Sequence, residues 1–98
     1  MITDDIRSQA ALKDLRRIPG IGPSLARDLL DLGYSRVDSL AGEDPEAMYA
    51  ALGRLRGTHI DRCVLYTFRC AVYFASHADH EPERLKWWNW KDAALAEA

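Results

Sequence analysis

Ninety-eight residues, 48% apolar and 29% charged, suffice for one hydrophobic core, are too few for two, and are too apolar for a disordered chain. No run approaches the roughly 20 apolar residues of a membrane span, and the polar, acidic opening MITDDIRSQAALK carries no leader pattern, so a soluble, cytoplasmic protein is expected. A net charge of −2 excludes a protein that coats nucleic acid with bulk positive charge, and Cys63 and Cys70 lie about 10 Å apart along a predicted helix, beyond disulfide reach, so both read as reduced.

Val and Ile are sparse and no segment alternates apolar and polar residues for long, which predicts an all-helical chain. The first helix is expected over about Thr3–Arg17, with Ile6, Ala10 or Ala11, Leu12 and Leu15 as its apolar stripe, until Pro19 breaks it. A second starts at Pro23, buries Leu25, Ala26, Leu29, Leu30 and Leu32, and stops at Gly33. Ser35 with Asp38 resembles an acidic capping box and opens a short connector helix over 36–41, through Val37 and Leu40 to Gly42. Asp44-Pro45-Glu46 is a cap, proline and acid in order, and starts a helix carrying Met48, Tyr49, Leu52 and Leu55 up to Gly57. The last long helix, about Ile60–Ser76, is dense in Val, Leu, Tyr, Phe and Ala and is predicted to be the most buried. HADHEPE reads as a solvated loop, and a short Trp-bearing tail follows.

The densest signal is IPGIGPS, residues 18–24. Gly20 and Gly22 allow a tight bend and clear side chains from its outer surface, so that backbone N–H groups at the mouth of the next helix face outward. Such a mouth carries partial positive charge and suits a phosphate. Ile18 and Ile21 would lock the bend onto the core, and Ala26 would let the flanking helices approach.

Leu15, Ile18, Gly20, Ile21, Gly22, Leu25 and Ala26 resemble, at matching spacing, the helix-hairpin-helix motif. That resemblance implies binding of DNA backbone, duplex or single-stranded, through hairpin amides without base reading. A weaker copy follows thirty-seven residues later, where Leu52, Leu55, Gly57 and Cys63 stand in register with Leu15, Ile18, Gly20 and Ala26. Two hairpins with a connector resemble the tandem, SAM-domain-like helix-hairpin-helix unit that grips a minor groove. Charge follows the hairpins: residues 13–36 carry a net +2, residues 54–69 a net +3, and the rest −7. Taken with DRCVLYTFRCAVYFA and LKWWNWKD, the stretch from Leu12 to Asp92 resembles a family of small bacterial proteins named for a pathogenicity locus, some labelled mitomycin resistance proteins. Two departures matter. Ser24 stands where DNA-binding hairpins of this motif usually carry lysine, which implies weaker binding, and the second copy has His59 for the second glycine and Asp61 in place of Ser24.

Other constellations are weaker. His59, Cys63, Cys70 and His77 share a helical stripe about 27 Å long, too long for one tetrahedral ion, so no metal is expected and the cysteines read as small buried hydrophobes. Arg62 and Arg69 flank Tyr66, either reaching for phosphate or pairing with acids of neighbouring helices. Trp88 is expected to pin the tail to the bundle, leaving Trp87 and Trp90 for a partner. No nucleophile with base and acid and no phosphate loop occurs, so neither an enzyme nor a cofactor is expected.

These readings converge on a compact five-helix tandem hairpin domain over residues 1–80, with hairpin 1 at 18–23 and a degenerate hairpin 2 at 55–60, and a tail over 81–98 packed upon it. The expected function is weak, non-specific DNA-backbone binding through Gly20, Ile21, Gly22 and Ser24, with Arg17, Arg27, Arg54 and Arg56 in support. The alternatives are an adaptor that binds another bacterial protein through the same fold or its tail, and a hairpin that serves only as a compact connection.

Overall fold

Proline, glycine and aspartate place most of the helix ends where the sequence puts them. The computed structural model describes residues 2–91, with side chains from Ile6 onward. Among these, four α-helices occur and no strand: α1 (Ile2–Leu15), α2 (Pro23–Asp31), α3 (Pro45–Arg56) and α4 (Arg62–Ser76). The Asp44 carboxylate accepts from the Glu46 N–H at 3.0 Å and starts α3. At the end of α2, Gly33 adopts φ 103°, and the N–H groups of Gly33 and Tyr34 donate back to the carbonyls of Leu30 and Leu29, a Schellman closure.

The fifth helix expected over 36–41 is a single 3₁₀ turn, Val37–Leu40. Its cap is Arg36, not Ser35, and its first N–H, that of Val37, is taken at 2.8 Å by the carboxylate of Asp14 on α1. With Val37 and Leu40 both buried and Gly42 donating its N–H to the Ser76 hydroxyl at 2.9 Å, the connector is fixed at both ends and has no room to lengthen. On α1, the apolar stripe is shorter than its pattern suggests: Ile6 is exposed, Leu12 is half-buried, and Ala11 and Leu15 carry the burial.

α4 is the centre-piece. α3, the connector and the tail all pack on it, while α1 packs on α2. Leu15, Ile18, Leu29, Leu40, Leu52 and Phe68 sit fully inside one core shared by the four helices. A second, smaller cluster joins Cys70 and Tyr73 of α4 to Trp90 of the tail. Burial pushes the Cys70 thiol up to about 11, so it stays neutral and packs as a hydrophobe. Cys63 breaks that expectation, because it lies exposed in the first turn of α4.

The described part of the tail consists of two 3₁₀ turns, Pro82–Leu85 and Trp87–Trp90. Side chains three apart eclipse in such a turn, so Trp87 and Trp90 face the bundle together and Trp88 points away. The expected assignment is therefore reversed. Trp90 is 2% exposed and donates its indole N–H to the Arg84 carbonyl at 2.7 Å, which removes it from any partner, whereas Trp88 is 57% exposed. The buried guanidinium of Arg69 fastens this arrangement. Its Nη1 donates to the carbonyls of Trp90 at 2.9 Å and Lys91 at 3.3 Å, and its Nη2 pairs with Glu46 of α3 at 3.0 Å. The segment expected to be a solvated loop is also anchored: the His77 and His80 rings bond the carbonyls of Tyr73 and Phe74, and His80 stacks on Phe74 with ring centres 4.6 Å apart. These bonds satisfy carbonyls left open at the end of α4. Among the described residues no helix is long and apolar enough to cross a membrane. The part of the tail expected over 92–98 lies outside the described residues.

Candidate nucleic-acid interface

The bend between α1 and α2 occupies residues 16–22. Ile18 and Ile21 turn inward and are buried, as their spacing predicts, and the Ile21 N–H closes onto the Ile18 carbonyl at 3.1 Å. Gly20 adopts φ 87°, a conformation that side chains resist. A second constraint acts there: a Cβ on Gly20 would come within 2.9 Å of Cδ1 of Trp87 and 3.4 Å of the Thr67 methyl. The tail therefore lies against the bend, a contact that links residues sixty-seven apart in sequence.

Gly22 differs. It caps α2 with φ −92° and ψ −172°, extended backbone open to any residue, and a Cβ there would meet nothing within 4 Å. No side chain caps this helix, so the N–H groups of Ser24 and Leu25 in its first turn find no acceptor among the described side chains. The Ser24 hydroxyl is exposed beside them. Aspartates occupy the cap positions of α3 and α4. At the second bend, Asp61 accepts from the Cys63 N–H at 2.8 Å, and that backbone bond holds its carboxyl below the usual carboxylate range. An anion approaching α4 meets a fixed negative charge, whereas one approaching α2 meets bare donors.

The ungapped repeat is not reproduced in space. α3 runs four residues past the counterpart of the end of α1, and α4 begins two residues after the counterpart of the start of α2, so the second bend shrinks to residues 57–61. The shift shows in burial. Leu52 is buried like Leu15 and Gly57 shares the left-handed conformation of Gly20, yet Leu55 is 50% exposed where Ile18 is buried, and Cys63 is exposed where Ala26 is buried.

The supporting arginines do not form one patch. Arg56 donates to Asp28 and Asp31 of α2, both at 2.7 Å, so its charge is consumed by the helix it was expected to assist. Arg54 lines a separate groove with Leu32, Tyr34, Glu43 and Asp44, in which burial and the Glu43 carboxylate push the Tyr34 phenol up to about 12. Arg17 pairs with Asp14 at 2.7 Å yet keeps most of its side chain in solvent, and Arg27 is exposed on α2. Arg62 and Arg69 do flank Tyr66, with guanidinium centres 5.9 and 5.8 Å from the ring centre. Of the two readings open to them, Arg69 takes the ion pair. The site thus gathers Gly20, Ile21, Gly22, Ser24 and the nearby chain positions Arg17 and Arg27, leaves Arg54 and Arg56 outside, and adds Trp87, whose contact with Gly20 no local pattern announced.

The family model described as Cdd1, pathogenicity locus, matches residues 8–95 of the chain. No curated protein and no solved structure gives a match.

Proposed function

The chain belongs to the Cdd1 pathogenicity-locus family, and from that premise we propose that it is a non-catalytic helix-hairpin-helix protein whose first hairpin, residues 18–23, holds the phosphate backbone of DNA without reading base sequence, as an accessory in bacterial DNA metabolism. Gly22 carries this reading. Glycine at a position weakens a fold by leaving the unfolded chain more freedom, on the order of 0.5–1 kcal/mol relative to alanine. Neither the dihedral angles nor the packing at Gly22 requires that loss. A group from outside that must approach the main chain closely does require it. The uncapped N–H groups behind Gly22, the Ser24 hydroxyl and the exposed cation of Arg27 are suited to an oxyanion.

The second bend serves the fold in this reading, because Asp61 already occupies the helix mouth there. One working hairpin touches few phosphates. With one or two phosphates contacted, log affinity falls against log salt with a slope of about −1 to −2, far shallower than for a protein that covers many. Gly22→Val tests the reading cleanly, since the side chain enters open space. The variant is expected to keep the wild-type helical circular dichroism and to melt no lower than the wild type, since valine removes freedom from the unfolded chain, while losing duplex binding measured at about 50 mM salt. Absence of binding by the wild type at that salt, or wild-type binding by Gly22→Val, sinks the reading. The rival, a protein-interaction adaptor without nucleic acid, draws on Leu55, a large apolar side chain exposed beside the second bend. Capture of a bacterial protein that Leu55→Asp abolishes and Gly22→Val leaves intact would favour it.

A further inference from the structure

Trp88 is the largest apolar side chain left in solvent, and its exposure does not come from a loose tail. On one side Trp87 lies against Gly20; on the other Trp90 is buried against Tyr73, with ring centres 5.4 Å apart. Arg69 holds the carbonyls of Trp90 and Lys91, and the Asn89 amide donates to the Glu83 carbonyl at 2.8 Å. The Trp88 ring stands nearly perpendicular to that of Trp87, at 87° with centres 5.8 Å apart. It is thus separated by a single indole from Gly20 of the bend that leads into the uncapped start of α2. We infer that Trp88 is a stacking platform for an unpaired base, so that the preferred ligand of this surface is single-stranded nucleic acid whose backbone runs over the first hairpin.

The inference rests on the backbone reading above and adds the strand state of the ligand. A base in a duplex is stacked on both faces and offers no free surface to an indole, whereas a base in a single strand does. Stacking on an aromatic side chain tolerates any sequence, in keeping with a hairpin that contacts only backbone. A platform already fixed by its neighbours loses little freedom when a base settles on it. The tail therefore supplies the ligand surface that the missing lysine at Ser24 would have strengthened by charge.

The test is a titration of fluorescein-labelled homopyrimidine single strands of about 12 nucleotides, and of a duplex of the same length, at about 50 mM salt. Trp88→Ala is expected to weaken single-strand binding about tenfold or more, in line with the stacking of one base, and to leave duplex binding within about twofold. Trp88→Tyr should restore most of the loss, and stacking should quench the indole fluorescence of the wild type. Unchanged single-strand binding by Trp88→Ala, or equal weakening towards both ligands, overturns the platform. Gly22→Val separates the two ideas. If it abolishes binding while Trp88→Ala does nothing, the hairpin stands and the platform falls; if it leaves both ligands bound as before, the hairpin reading falls and takes this inference with it. Because Trp88 is exposed, neither substitution there is expected to shift the melting temperature.

Discussion

At the scale of single residues, Asp14 shows how one carboxylate does two things that a local pattern cannot reveal. It pairs with Arg17 on its own side of the bend and accepts the Val37 N–H from a connector twenty-three residues away. The bond from Val37, followed by that from Arg17, holds its carboxyl below the usual range. Its folded pKa thus lies under the unfolded value of about 3.9, so its stabilisation is complete above that pH and disappears as pH falls through the folded value. Asp14→Asn is expected to cost about 1 kcal/mol at pH 7, and urea titrations of the two proteins should converge as pH falls and the Asp14 carboxyl takes up its proton. The glycines at 20 and 22 read alike in sequence because the pattern reports only that side chains are missing. Their reasons differ: Gly20 answers to backbone angle and to Trp87, whereas at Gly22, the cap of α2, neither backbone angle nor packing inside the described protein demands glycine. Residue identity also could not tell that the Arg56 charge would be spent on Asp28 and Asp31, since that pairing depends on how α3 comes to lie against α2.

At the scale of elements, α2 and α3 were legible almost to the residue because their ends are written in proline, glycine and aspartate, whose effects on the backbone are local. The connector was not, because Ser35 and Asp38 carry a plausible cap while the N–H that decides the matter is satisfied from α1. The second bend failed in a similar way. Matching residues at a constant offset preserves identity, but the end of α3 is set by Gly57 and the start of α4 by Asp61, and those two signals shorten the turn. The tryptophans teach a further lesson: spacing dictates that Trp87 and Trp90 share a side, and only docking decides which side turns inward. That docking is testable at Gly20. Gly20→Ala must adopt a left-handed angle and displace Trp87, so it is expected to lose about 2 kcal/mol, lowering Tm by roughly 10 °C. In a Trp87→Ala background the same change should cost about half as much, and a double-mutant cycle from thermal melts measures the coupling.

At the scale of the whole molecule, Arg69 joins three parts: α4 carries it, Glu46 of α3 neutralises it, and the tail carbonyls receive it. Its Nε is buried and has no hydrogen-bond partner among the described residues. The main core of Leu15, Leu29, Leu40, Leu52 and Phe68 includes no side chain from the described part of the tail. Arg69→Ala is therefore expected to release the tail before the bundle melts. Amide exchange at residues 84–91 should accelerate by about tenfold or more, and acrylamide should reach Trp90, while exchange in α2 and α4 slows or quickens little. A tail that stays protected in Arg69→Ala would show that Trp90 burial alone suffices. The seating of Trp87 on Gly20 also governs when the protein can mature during synthesis. The bend emerges from the ribosome sixty-seven residues ahead of the indole that completes it, so the bend must wait, half-built, for the segment between them. A nascent chain arrested before residue 87 would hold its helices yet lack the surface beside the bend, and only translation of the last tryptophans would finish it.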